Sequence, residues 1–375
     1  MSSATGTAIV KTYTSRPTHT LAGARRTESG TGEVPAILAL PEAADEVRCV
    51  ACAHRCLIRP GRHGICQVRE NRDGQLLSLV YGEAVAAIAE PIEKKPLFHA
   101  WPGSLAYSIA TRGCNFHCRF CQNWEIAQAD REGLRPATIP LPPGSVVARA
   151  LAAKARTIAY TYVEPTIFIE YVVDSARLAH EAGLGNVLVT NGYQTPEALD
   201  LLGPLIDAAN VDLKAFSDRF YRTVCGARLA PVLDALLGMR ERGIWVEVTT
   251  LLIPGVNDGP RELAELSRWI ATELGPDTPW HVSRFFPAYR WTDAPRTPIE
   301  TIRRAVETGR AAGLHHVYAG NVDGLANDDT RCAGCGRVLL RRRGFGVVAN
   351  ELVAGKCPDC GRRLAGIGLV EAGAP

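Results

Sequence analysis

Thr111-Arg-Gly-Cys114-Asn-Phe-His-Cys118-Arg-Phe-Cys121 sets three thiols in C-x3-C-x2-C spacing immediately after Leu105–Ala110, an apolar, β-prone run that reads as the first strand of a sheet. A cubane iron–sulfur cluster normally takes four cysteines, so a three-cysteine site leaves one iron open to an outside ligand. Iron in that position accepts an amine and a carboxylate. The competing metal is zinc, which would need a fourth ligand, and His117 inside the loop is the candidate for it.

Downstream, short apolar runs alternate with amphipathic stretches of helical period, the pattern of successive βα units in a parallel sheet. After Leu105–Ala110 the expected strands are 157–162, 187–190, 210–213, 245–251, 280–285 and 316–319. The clearest helices are 196–208, 231–242, 261–274 and 298–312, three of which open on a proline suited to the first helical turn. Gly183, Gly243 and Gly313 are placed to cap helices. Six or seven repeats are too few for a closed eight-stranded barrel. The expected fold class is therefore α/β, an open partial (β/α)6-type barrel whose site lies at the C-terminal ends of the strands.

The cysteine spacing, with Phe120 just before the last thiol, resembles the signature of the radical S-adenosylmethionine (SAM) superfamily. The resemblance implies that Cys114, Cys118 and Cys121 hold a [4Fe–4S] cluster, reduced by an external one-electron donor of the flavodoxin or ferredoxin type. It further implies that SAM on the open iron is cleaved to a 5′-deoxyadenosyl radical, which takes a hydrogen atom from a substrate. The cofactor carries the chemistry, and the protein positions it.

Further motifs resemble SAM-contacting positions of this superfamily. Tyr160-Thr-Tyr-Val-Glu164-Pro165 stands where many members have Gly-Gly-Glu-Pro, which makes Glu164 the acceptor of the methionyl amine; Tyr162 and Val163 replace the two glycines. Thr190-Asn191-Gly192 and Val211-Asp212-Leu213-Lys214 resemble motifs of the pyruvate formate-lyase activase branch, with the Lys214 ammonium facing the SAM carboxylate and Asp212 orienting it. His281 is similar to another cofactor-side position; its alternative is a buried, hydrogen-bonded histidine.

From Cys49 onward the chain resembles the radical SAM enzymes of the AmmeMemoRadiSam system. The carriers are Cys49-Val-Ala-Cys-Ala-His-Arg-Cys56, Leu79-Val-Tyr-Gly82, Pro91-Ile-Glu-Lys-Lys-Pro-Leu97, Pro102-Gly-Ser104, Cys121-Gln-Asn-Trp-Glu-Ile126, Phe285-Phe-Pro287 and two terminal cysteine pairs. This resemblance implies functional association with Memo-like and AMMECR-like proteins.

Two more cysteine groups flank the barrel. Cys332, Cys335, Cys357 and Cys360 form two C-x2-C-G knuckles, the arrangement of a zinc ribbon, with Arg341-Arg-Arg343 on a solvated hairpin tip or, as the alternative, in contact with nucleic acid. Cys49, Cys52, Cys56 and Cys66 suit either zinc, as a staple for a segment too small to have its own core, or a second iron–sulfur cluster, as an electron relay. Free thiols are a further alternative, and His54 and His63 are substitute ligands. Cys225 stands alone in the loop after the fourth strand, either as a thiol donating hydrogen to a radical or as a small buried apolar group.

The expected organisation is a disordered tail over 1–30, with a transit peptide as its alternative, a four-cysteine metal-binding domain over 31–104, the barrel over 105–325 and the ribbon over 326–375. Twelve cysteines, eleven of them at close spacing, without an export signal favour metals over disulfides and place the chain in the cytoplasm. No apolar run is long enough for a membrane span, and a net charge of +3 does not indicate a nucleic-acid partner. The function expected is that of a radical enzyme, activase-like or modifying a small molecule, peptide or RNA. The alternative is a multi-cluster scaffold or electron-transfer protein without substrate chemistry of its own.

Overall fold

The computed structural model describes residues 30–322 and 328–369. Apart from Gly30, the expected tail lies outside them. Seven parallel strands form the centre: β1 (Leu105–Ala110), β2 (Thr157–Tyr160), β3 (Gly185–Thr190), β4 (Ala208–Asp212), β5 (Trp245–Leu252), β6 (Trp280–Arg284) and β7 (Val317–Gly320). They pair in sequence order without reversal. Right-handed crossovers in an unreversed order place every helix on one face, so the sheet curls around the other into a partial barrel. Strands β2 and β3 are buried almost residue for residue, as apolar runs covered on both faces must be.

The helices that flank the sheet are α1 (Pro143–Ala152), α2 (Ile169–Glu181), α3 (Pro196–Leu202), α4 (Leu229–Glu241), α5 (Pro260–Trp269) and α6 (Ile299–Ala311). Helix α6 shows the logic of the outer layer. Ile302, Ala305, Val306 and Gly309 recur at i, i+3, i+4 and i+7 and are the buried face. Helix α3 begins with the Thr195 hydroxyl accepting from the Ala198 N–H at 3.2 Å. It ends at Leu202, earlier than its expected limit, because the chain enters β4 at Ala208.

The boundary expected at residue 104 is displaced. Ala86–Pro91 pairs antiparallel with β1 and is the edge strand of the barrel sheet. The preceding cysteine-rich segment is built from short antiparallel strands and packs on the barrel rather than standing apart. Its anchors are a buried ion pair between Arg69 and Glu170 at 2.7 Å, the Tyr81 hydroxyl on Asp174 at 2.8 Å and Arg55 on Glu197 at 2.7 Å.

The ribbon has its own small core, with Leu339, Leu340, Leu352 and Leu364 around Cys332 and Cys357. One expectation is corrected here: Arg342 is not on a solvated tip. Strand alternation exposes Arg341 and Arg343 and turns Arg342 inward, where it is 2 % exposed. Its guanidinium donates to the Phe98 carbonyl and the Thr330 hydroxyl, each at 2.8 Å, and lies 4.2 Å from the Phe98 ring centroid. The ribbon is thereby fixed to the barrel.

Candidate active site

At the C-terminal ends of the strands the barrel opens into a cleft of about 300 Å³. Cys114, Cys118, Cys121, Phe120, Glu164, Thr190, Asn191, Asp212 and Lys214 all line it. Residues far apart in sequence converge here because each follows, or ends, a parallel strand.

The cysteine loop is held from behind by a π-helical turn, Tyr221–Cys225. The carbonyls of Cys225 and Val224 accept the N–H groups of His117 at 2.8 Å and Arg119 at 3.2 Å. His54 contacts the Asn115 carbonyl at 2.9 Å, and Gln128 donates to the Phe116 carbonyl at 2.9 Å. The loop is therefore braced by protein contacts on its own backbone. Burial pushes the Cys114 and Cys121 thiols up to about 12. Cys118 moves the other way, because the Cys225 thiol donates to it and Lys214 is near. Cys225 is thus neither free in the cleft nor a remote core residue; it lies directly behind Cys118, fully buried.

Lys214 donates to Asp212 at 3.0 Å, with its ammonium 5.7 Å from the Phe120 ring centroid. Burial works against this ammonium, but Asp212, with the sulfurs of Cys118 and Cys225 beyond it, raises its pKa well above the ordinary value. Glu164 is 2 % exposed, and its carboxylate accepts from Thr166 N and Oγ1, Thr190 Oγ1, Asn191 N and Gln194 Nε2. Desolvation raises its pKa against those donors. Oε2 is the less occupied oxygen, receiving the Asn191 N–H and a shared Thr190 hydroxyl.

Tyr162 stands in place of a glycine at φ 64°, a left-handed conformation unusual for a bulky side chain. Its hydroxyl donates to Glu90, whose other donors are Lys94 at 2.6 Å and Lys95 at 2.5 Å; the Lys95 ammonium lies 4.4 Å from the Tyr162 ring centroid. This cluster forms one wall of the cleft and holds the backbone turn in place. Although desolvation raises the Glu90 pKa, these three donors bring it down to about 2.

His281 is placed elsewhere. As the second residue of β6 it lies below the mouth, 2.7 Å from Glu247 and stacked on Tyr318. The cleft instead recruits residues the sequence reading did not single out, among them Thr249, Leu251, Ser283 and Asn321. The rule that strand ends face the mouth would have found Leu251 and Ser283, which pair with each other next to the last residues of β5 and β6.

The chemistry of these walls fits a ligand with its own donors. Asn191 Oδ1 and Thr249 Oγ1 are buried on the cleft without partners, and Gln194 Oε1 behind them is likewise unpaired. Buried orphan acceptors are costly unless something fills them. The methionyl amine and ribose hydroxyls of SAM are suitable donors, and the three thiols supply ligands for a cluster with one open iron.

Fold and site together define a partial α/β barrel protein with a metal-cluster loop at its mouth. Residues 108–267 match the radical SAM superfamily. An uncharacterized protein of Methanocaldococcus jannaschii is 40 % identical over 325 residues, covering 85 % of this chain and 95 % of that protein. The pyruvate formate-lyase-activating enzyme of Listeria monocytogenes is 22 % identical over 220 residues, covering 55 % of this chain and 86 % of that enzyme. Among solved structures, a radical SAM methyltransferase from Sphaerobacter thermophilus aligns with a TM-score of 0.47 at 20 % identity, over 64 % of this chain and 71 % of the other. The chain belongs to the radical SAM superfamily. Membership implies a [4Fe–4S] cluster and SAM.

Proposed function

We propose that this protein cleaves SAM reductively at the Cys114, Cys118 and Cys121 site and uses the radical formed to abstract hydrogen from a substrate. The observation that carries the reading is the convergence of the three thiols, the Asp212–Lys214 pair and orphan acceptors in one cleft. An electron carrier has no need of such a cleft. When bound and reduced by an external flavodoxin- or ferredoxin-type donor, cluster and SAM supply an electron and a sulfonium C–S bond that breaks to methionine and a 5′-deoxyadenosyl radical.

The chain's own residues then have distinct tasks. Lys214, held charged by Asp212, receives the methionyl carboxylate. Glu164 offers Oε2 to the amine while fixing Thr190 and Asn191. Phe120, buried against Phe220 and Trp291, excludes water from the cysteine loop. Cys225 shields and hydrogen-bonds the Cys118 sulfur.

In the ribbon, Cys332 and Cys360 have sulfurs 3.4 Å apart and Cys335 and Cys357 3.6 Å apart, the separation expected around one zinc ion. Zinc there is structural. The sequence motifs shared with the AmmeMemoRadiSam group support functional association with Memo-like and AMMECR-like proteins.

Anaerobically reconstituted protein, given SAM and dithionite, is expected to release methionine and 5′-deoxyadenosine in equal amounts, and Cys118→Ala to release neither. A folded, cluster-loaded wild type that leaves SAM intact contradicts the proposal.

A further inference from the structure

The chain carries three cysteine groups, and comparison among them bears on the metal at the N-terminal one. Among the described residues, only the Cys332, Cys335, Cys357 and Cys360 ligand atoms all lie within 4.8 Å of one another. A single zinc ion with Zn–S bonds of about 2.3 Å needs sulfurs about 3.8 Å apart, and the ribbon matches that. The Cys114, Cys118 and Cys121 loop, whose family partner is a cubane, is more open and does not meet the limit. Cys49, Cys52, Cys56 and Cys66 behave like the central loop: they face one small cavity without closing to within 4.8 Å. A cubane carries its four ligands on four separate irons and therefore spans a wider set of sulfurs than one ion can.

A second observation concerns charge. The rest of the lining is apolar groups, including Ala51, Ile58, Ile65 and Ile167, together with Thr166, whose hydroxyl donates to Glu164, and one charged residue. Arg69 lines it, is 2 % exposed, and uses Nη2 on Glu170; its Nε and Nη1 donors have no acceptor. Burying two guanidinium donors unpaired is expensive. An anionic cluster whose sulfides and thiolates accept hydrogen bonds supplies what the protein leaves out.

The frame is also preorganised. Cys49 donates its N–H to the Cys56 carbonyl at 2.9 Å, Cys52 forms a β-bridge with Gln194, and none of the four is in a disulfide. The frame abuts the central cysteine loop. A Cβ built on Gly113, the residue before Cys114, would lie 2.9 Å from the Cys66 carbonyl oxygen and 2.7 Å from Val68 Cγ1, so only glycine fits between them at its φ of 91°. Arg131, in the turn that follows the cysteine loop, reaches the Ile65 carbonyl.

We propose that Cys49, Cys52, Cys56 and Cys66 hold a second [4Fe–4S] cluster beside the catalytic one. Its electron-relay role rests on the reading of the central site given above; its existence does not. One electron passes from an external donor of the flavodoxin or ferredoxin class to this cluster and on to the central cluster. The donor is oxidised by one electron, the central cluster is reduced by one, and no atom is transferred.

The test uses the full chain carrying Cys114→Ala, Cys118→Ala and Cys121→Ala together, reconstituted anaerobically with iron and sulfide in the presence of zinc. It is expected to retain about four iron and about four sulfide per chain, plus about one zinc, and to give a cubane-type EPR signal on reduction. About two zinc and no iron in that protein, or neither metal at the N-terminal site with circular dichroism intact, overturns the proposal. Should the triple variant misfold, wild type with about eight iron supports it, and wild type with about four contradicts it. Cys49→Ala/Cys66→Ala reports the central cluster alone, so failure of that site is seen separately. Reduced wild type should also show its two EPR signals broadened by mutual coupling; simple addition contradicts the relay geometry.

Discussion

Lys214 shows how the site works at the scale of single residues. A buried ammonium is tolerated only because Asp212 accepts from it at 3.0 Å, and together they leave a charged donor facing the cleft. Lys214→Met is expected to weaken SAM binding at least about tenfold, the loss of one charge-assisted hydrogen bond, while iron content stays unchanged. Titration of the reconstituted variant with SAM measures this, and an unaltered affinity would remove Lys214 from the SAM contacts. Lys214 and Asp212 were legible in sequence because they end a strand. The position of His281 was not, since motif likeness carries no information on depth along a strand, and its pairing with Glu247 draws it below the mouth. Cys225 was legible only as a residue near the mouth; its contact with Cys118 depends on a π-helical turn that no periodicity announces.

Among the elements, that same turn has a single weak point. Gly226 closes it at φ 71°, and a Cβ there would come within 2.6 Å of His117 Nδ1. Gly226→Ala is expected to cost more than about 1 kcal/mol and to loosen the cysteine loop. The variant should lose iron faster than wild type on exposure to a chelator; equal rates would show that the turn does not brace the loop. The seven barrel strands were readable because each is a compact apolar run bounded by turn residues. The edge strand Ala86–Pro91 was missed: its pattern of mostly half-buried residues gives a weak signal, and its place is decided by pairing with β1. The short strands around Cys49 and Cys66 have too few residues to show a period at all.

On the scale of the whole molecule, the ribbon is tied to the barrel by a buried polar chain. His99 places Nδ1 at 2.7 Å from the Ala365 carbonyl and Nε2 at 2.7 Å from the Tyr318 hydroxyl; burial keeps the ring neutral, so its one proton is on Nδ1, which faces a pure acceptor, and Nε2 accepts from the hydroxyl. Burial, then proximity to His316, lowers the His99 pKa to about 3; burial, then His315 and Arg362, lowers that of His316 to about 4. Both lie below the unfolded value of about 6.5, so the unfolded chain binds more protons in that interval. Stability is complete above about pH 6.5 and falls as pH drops toward about 4, by up to about 1.4 kcal/mol per pH unit for each ring. Denaturation midpoints between pH 7.5 and 5 should show this slope, and His316→Gln should reduce it; identical slopes would contradict the assignment. None of this docking was legible in sequence, because Arg342 reads as part of a basic triplet until strand alternation turns it inward.

The central claim is that a three-cysteine cluster leaves one iron for SAM. EPR and electron–nuclear double resonance on the reduced, reconstituted protein test it directly, with SAM labelled with ¹⁵N at the methionyl amine. SAM is predicted to shift the cluster signal and to introduce a ¹⁵N hyperfine coupling, lost in Cys118→Ala. A cluster signal that SAM leaves unchanged, with no nitrogen coupling, would contradict the account.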